Sequence, residues 1–143
     1  MEITTKPDEA AVRRLLAESG LPTADITAGH LEHFFGCSEN DDLAAVVGLE
    51  LYGAVGLLRS LAVAAPGRGR GVGKRLVAHA ERYACERGVG ALYLLTTTAE
   101  LFFQRLGYER VPRGEVPAAI KATREYAGIC PASAAVMARR LTD

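Results

Sequence analysis

The chain has no tryptophan, only two methionines, and aromatic residues make up 6% of its 143 residues. A core built without large rings must come from Leu, Val, Ile and Ala, which points to ordinary layered packing. Cysteine is scarce and odd in number: Cys37, Cys85 and Cys130 lie far apart with no CxxC spacing. That excludes a disulfide scaffold and a structural zinc site, and suits reduced thiols in a cytoplasmic protein. Charge of one sign is also missing, since 17 basic residues balance 17 acidic ones. The molecule as a whole is therefore no electrostatic trap for nucleic acid. No apolar run nears the roughly 18 residues of a membrane span, and "MEITTKPDEA" has no apolar signal core. Repeats, linkers and low-complexity stretches are absent as well. The length suits one domain over residues 1–143.

Glycine, by contrast, is concentrated. In "LAVAAPGRGRGVGKRL" (61–76), glycines and basic residues alternate between an apolar run and a helical pattern. Around this stretch the periodicities give an order of elements. "TKPDEAAVRRLLAESG" has helical spacing, with Thr5 or Lys6 just before the proline and Gly20 as stop. "TADITAGHLEHFFG" reads as a second helix, capped by Thr27 and closed by Gly36. Strand-like runs at 43–51 and 54–63 meet at "YG" as in a hairpin. "VGKRLVAHAERYACERG" is the strongest helix, with Val72, Leu76, Val77, Ala80, Tyr83 and Ala84 on one stripe and Gly88 at its end. A buried-type strand (91–97) and a two-turn helix ending at Gly107 come next, then an extended "YERVPR". A helix in "EVPAAIKATREYAGI" and a closing strand in "SAAVMARRL" complete the chain. A hairpin and then a strand–loop–helix–strand unit predict an α/β fold with a mixed sheet and helices over its faces.

The glycine loop fails two phosphate-binding patterns. A nucleotide-triphosphate loop ending at Gly73-Lys74 would need glycine at 68 and a hydroxyl at 75, and both positions are arginine. The dinucleotide pattern G-x-G-x-x-G started at Gly67, Gly69 or Gly71 ends on Val72, Lys74 or Leu76. A third pattern, R-x-x-G-x-G opening a helix, fits Arg68, Gly71 and Gly73. Glycines let consecutive amides converge on phosphate oxygens, and the helix after them adds its positive end. Arg68, Arg70, Lys74 and Arg75 add charge-assisted contacts, so a diphosphate could be held without metal.

Two segments in this order, "LAV…PGRGRGVGKRLVAHAERYACERG" and "AELFFQRLGYER", resemble the acetyl-coenzyme A site of the GNAT superfamily of acetyltransferases over residues 57–111. The resemblance implies a mixed, mostly antiparallel sheet with a central splayed strand pair and flanking helices. It implies acetyl-coenzyme A as cosubstrate, no metal, and a small-molecule amine as partner, with neither nucleic acid nor membrane. Cofactor contacts then fall on the strand end Leu61, Ala62 and Val63, the loop Arg68, Gly69, Arg70, Gly71, Val72, Gly73 and Lys74, and on Thr96 and Phe103. Dimerisation through late strands is common in the superfamily. More narrowly, "LLRSLAV", "LYLLTTTAELFF" and "GYERVPRGEVPAAIKATREYAGICPASAAVM" resemble the N-acetyltransferases of arsenic-resistance operons, which implies a glutamate-like antimetabolite as acceptor.

The catalytic half departs from the family's pattern. Where the short helix usually places a tyrosine to protonate the leaving thiolate stands Phe103, so Tyr108 is the nearest hydroxyl. Where the strand usually carries a glutamate base stands Arg59, a cation suited to an acceptor's carboxylate, which leaves Glu50 as the nearest carboxylate base. Thr97, Thr98, Arg113 and Arg124 complete the candidate acceptor contacts. His30, His33 and His79 show no metal-ligand spacing, and a lone Cys130 is a poor arsenic ligand. An enzyme therefore competes with a non-catalytic acyl-coenzyme A sensor, and with an acetyltransferase for peptides.

Overall fold

Strands dominate the first half of the chain to a degree the periodicities do not anticipate. The computed structural model describes residues 2–24, 26–64, 71–129 and 133–141. Its elements are β1 (Ile3–Thr5), α1 (Glu9–Glu18), α2 (Ala28–Leu31), β2 (Phe34–Glu39), β3 (Asp42–Tyr52), β4 (Val55–Val63), α3 (Val72–Glu86), β5 (Ala91–Thr96), α4 (Glu100–Arg105), β6 (Glu109–Arg110), α5 (Ala118–Lys121) and β7 (Ala135–Arg140). The strands order as β1-β2-β3-β4-β5-β7-β6, with β4 and β5 parallel and the other registered pairs antiparallel. This is the mixed, mostly antiparallel α/β sheet expected. Among the described residues no helix is long and apolar enough to cross a membrane.

The chain divides into two compact units, Met1–Glu50 with Leu58–Arg82, and Leu51–Leu57 with Tyr83–Asp143. In the first, α1 lays Val12, Leu15 and Leu16 against Phe34, Val46 and Ala62 of the sheet. Its N-cap is Asp8, whose carboxylate accepts the Ala11 N–H at 3.0 Å. Pro7 has no N–H to offer and precedes the cap. Arg13 then fixes the segment after α1: it pairs with Glu9 at 3.1 Å and donates to the carbonyls of Thr23 and Ile26. That fork holds the approach to Thr27, the N-cap of α2, whose hydroxyl accepts the His30 N–H as expected.

The second helix stops at Leu31 and does not run on to Gly36. Phe34 and Phe35 are both fully buried, and in a strand they face opposite sides. Phe34 joins the α1-side core while the Phe35 ring meets the His79 ring of α3 at 4.8 Å. Two covered faces favour extended chain over a helix that could bury only one. The β2–β3 hairpin closes through Asn40 and Asp41 at φ of 54° and 66°, residues that tolerate this region.

In the second unit, β4 pairs with β5 from Val55↔Ala91 to Leu57↔Tyr93. Its core is Leu57, Val116, Ile120 and Val136. The single helix expected near 115–129 is broken into a 3₁₀ turn (Arg113–Glu115), α5 and a π-helical turn (Glu125–Ile129). Thr123 makes the break, donating to Ile120 O at 2.7 Å and accepting the Tyr126 N–H. A hydroxyl that serves the local backbone in this way competes with the helical ladder.

Candidate active site

A buried ion pair occupies the inner end of the β3–β4 hairpin. β3 is buried without interruption from Ala45 to Glu50, and β4 from Gly56 to Arg59. Both end on a charge. Arg59 Nη1 donates to Glu50 Oε2 at 2.6 Å, with side chains 1% and 9% exposed. Two charges out of water need several partners, and this pair has them. Arg59 Nε donates to Ser60 Oγ at 3.0 Å, and the guanidinium lies 5.9 Å from the Phe34 ring centroid. His30 Nε2 stands 3.8 Å from the same Glu50 oxygen.

Local backbone explains how β4 turns a cation inward. Ser60 adopts φ of 58°, a left-handed conformation inside a strand. Such a residue costs about 1–3 kcal/mol and shifts the alternation of side chains, as a bulge does. Arg59 is buried, Ser60 and Leu61 are half-buried, and Ala62 is buried again. Phe34 depends on Gly48, its cross-strand partner, because a Cβ there would overlap the ring.

The segment expected to cradle phosphate lies only partly within the described residues. Leu61, Ala62 and Val63 end β4, four to six residues beyond the last registered pair with β5. Arg68, Gly69 and Arg70 lie outside the described residues, as does Cys130. Gly71 takes φ of 76° with open space where a Cβ would stand, so conformation and not crowding selects glycine. It accepts the Arg75 N–H at 3.1 Å, starting α3, with Val72 and Gly73 buried and Lys74 exposed in the first turn. A fifteen-residue helix whose N-terminus opens from a left-handed glycine fits a diphosphate. Among the described residues no group of three His, Cys, Asp or Glu could hold a metal ion. Burial pushes the Cys37 thiol above its usual range, with the nearby Arg75 charge opposing.

The remaining candidates sit in the second unit. Thr96 accepts the Ala99 N–H at 2.9 Å and so shapes the entry to α4, while Thr97 and Thr98 are exposed. Phe103 and Tyr108 are buried and meet edge to face at 5.6 Å. Arg113 donates to Ala134 O at 2.8 Å and lies over the Tyr126 ring, so it ties the 113–126 segment to the start of β7. Arg124 is exposed. His30, Phe34, Gly48 and Ser60 are the participants that sequence reasoning missed. Only the glycine facing a phenylalanine carried a signal, and it needed the strand register to be seen.

Comparison with known proteins agrees with this architecture. A curated relative, an uncharacterized N-acetyltransferase of Chlorobaculum tepidum, is 30% identical over 62% of this chain and 57% of its own length. N-acetylglutamate synthase from Neisseria gonorrhoeae, solved with coenzyme A and N-acetyl-glutamate, superposes with a TM-score of 0.83 at 22% identity, over 99% of this chain and 35% of that one. The ribosomal-protein-S18-alanine N-acetyltransferase from Escherichia coli gives 0.73 at 17% identity, covering 99% and 94%. This chain thus spans little more than half of the curated relative and about a third of the synthase. The family model for the acetyltransferase (GNAT) family matches residues 4–108, from β1 past the glycine loop to the residue after Gly107. With that match across most of its length, the chain belongs to the acetyltransferase (GNAT) family.

Proposed function

We propose that this chain is an acetyl-coenzyme A-dependent N-acetyltransferase whose acceptor is a small amine carrying a carboxylate. Family membership supports the reaction. The observation that carries the acceptor class is the Glu50–Arg59 pair, a buried anion and cation side by side. An amino acid presents the complementary pair of charges, a carboxylate to match Arg59 and an ammonium to match Glu50.

Acetyl-coenzyme A, when bound, supplies an acetyl group activated as a thioester. The residues that would hold it are the backbone of Leu61, Ala62 and Val63, and the amides of Gly71, Val72 and Gly73 with Lys74 beside them. Glu50 accepts the proton that the acceptor's ammonium must lose before its nitrogen can attack. Phe103 has no proton to give, which leaves the Tyr108 hydroxyl or water to meet the leaving thiolate.

The finer acceptor, a glutamate-like antimetabolite of the arsenic-resistance type, rests on the resemblance of segments such as "LLRSLAV" and "LYLLTTTAELFF". A single domain is supported by a family match that crosses both units. A cytoplasmic location rests on the few, widely spaced cysteines, and a homodimer on family habit alone. The second reading, a non-catalytic acyl-coenzyme A sensor, is favoured by Phe103, buried against Tyr108 where a proton donor is usual.

Thiol release from acetyl-coenzyme A, measured with a panel of amino acids and of amines lacking a carboxylate, separates the readings. Acceptors bearing a carboxylate are expected to be turned over first. Binding of coenzyme A without thiol release above hydrolysis would favour the sensor, and no binding at all would sink both.

A further inference from the structure

Three side chains from three elements stand in a row with one carboxylate in the middle. Arg59 of β4 holds Glu50 Oε2 at 2.6 Å, and His30 of α2 faces the same oxygen at 3.8 Å. Side-chain exposure rises along the row, from 1% at Arg59 through 9% at Glu50 to 28% at His30. Of the three, the imidazole is the side chain with most contact with water.

Thr27 holds the imidazole by its far nitrogen. Its Oγ1 lies 2.9 Å from His30 Nδ1 and also accepts the His30 backbone N–H at 3.3 Å. A hydroxyl oxygen has two lone pairs and can accept from both. In the tautomer whose ring hydrogen sits on Nδ1, the one that a proton transfer from Glu50 requires, Nε2 presents its lone pair to Glu50.

A base so deeply placed must be unloaded after every turnover. The proton cannot leave through Arg59, because a guanidinium has no lone pair and stays charged. We infer that His30 is a positioning residue that serves as the proton outlet of Glu50. The inference rests on the acetyl-transfer reading, in which Glu50 takes the acceptor's ammonium proton. That proton passes from the Glu50 carboxyl to His30 Nε2 and gives an imidazolium, which releases one proton to water. The carboxylate and the neutral ring are then restored, and the balance needs no further reactant. The 3.8 Å gap is closed by a small shift of either side chain or by one bridging water. Among the described residues, Glu50 faces the ring directly and Arg59 lies behind it.

The test compares the wild type with His30→Gln at low buffer concentration and saturating acceptor. In the variant, kcat is expected to fall at least about tenfold, short of the about 10²–10⁴ that a direct acid or base contributes. The acceptor KM and the melting temperature should hold, and added imidazole should restore the rate. His33→Gln, three residues on, should leave kcat unchanged. An unchanged kcat in His30→Gln, or a loss that imidazole does not recover, overturns the outlet. A wild type that turns over no amine overturns the parent reading instead, and the outlet with it.

Discussion

Arginine at position 59 is held almost wholly out of water, at 4% exposure, beside a carboxylate at 9%. Desolvating each ion costs several kcal/mol, against which stand the short contact and the Ser60 and Phe34 contacts among others. Removing one partner leaves the other charge buried without this counter-ion. Arg59→Met and Glu50→Gln are each expected to lower stability by about 3–5 kcal/mol in urea unfolding. The double variant should lose clearly less than the sum, by about 1–3 kcal/mol of coupling. Strict additivity would show that the pair is not energetically linked. At this scale the sequence was half legible. A charge inside "GLLRSLAV" stood out, and so did Glu50 in its apolar run, but their partnership across nine positions depends on hairpin register. The φ of Ser60 has no signature, because serine is common in both strands and turns.

Elements with one exposed face were the readable ones. α3 shows its buried stripe of Val72, Leu76, Val77, Ala80 and Ala84 directly in its spacing, and β3 and β4 fall within two residues of the apolar runs that announce them. β2 was not readable, because "HFFGC" carries apolar residues for two faces and comes after a capped helical turn that looks able to continue. β1 is three residues long, too short for periodicity. The break in the 115–129 segment is not legible in its spacing, because it rests on Thr123 bonding backward and forward to local backbone. The β2–β3 pairing also makes a prediction of its own. Gly48 faces Phe34, and the ring fills the space over the missing side chain. Gly48→Ala forces the ring aside and should cost about 1–3 kcal/mol as overpacking. It should also disturb Arg59, so kcat/KM for a carboxylate-bearing acceptor should fall further than for a plain amine. Equal losses for both acceptors would mean that Phe34 supports the strand and not the guanidinium.

The charges of the whole molecule cancel, so affinity for an anionic cofactor has to come from a local arrangement. The proposed cradle at the start of α3 would supply one, and its effect is open to a measurement on the intact chain. A ligand that binds only the folded state stabilises it by about 2.7 kcal/mol at a hundred times Kd. For a chain near this length each kcal/mol raises Tm by about 2–4 °C, so coenzyme A at that excess should raise it by about 5–10 °C. Salt should reduce the shift, since exposed Lys74 is screened more readily than buried charges are. Gly71→Val separates the cradle from other contacts. A β-branched residue is strained at φ of 76°, so the variant melts lower without ligand. If the left-handed turn is what aims the α3 amides at phosphate, the coenzyme A shift shrinks in the variant by more than half. A shift of undiminished size in Gly71→Val would place the diphosphate elsewhere and leave the glycine with a purely structural task at the head of the helix.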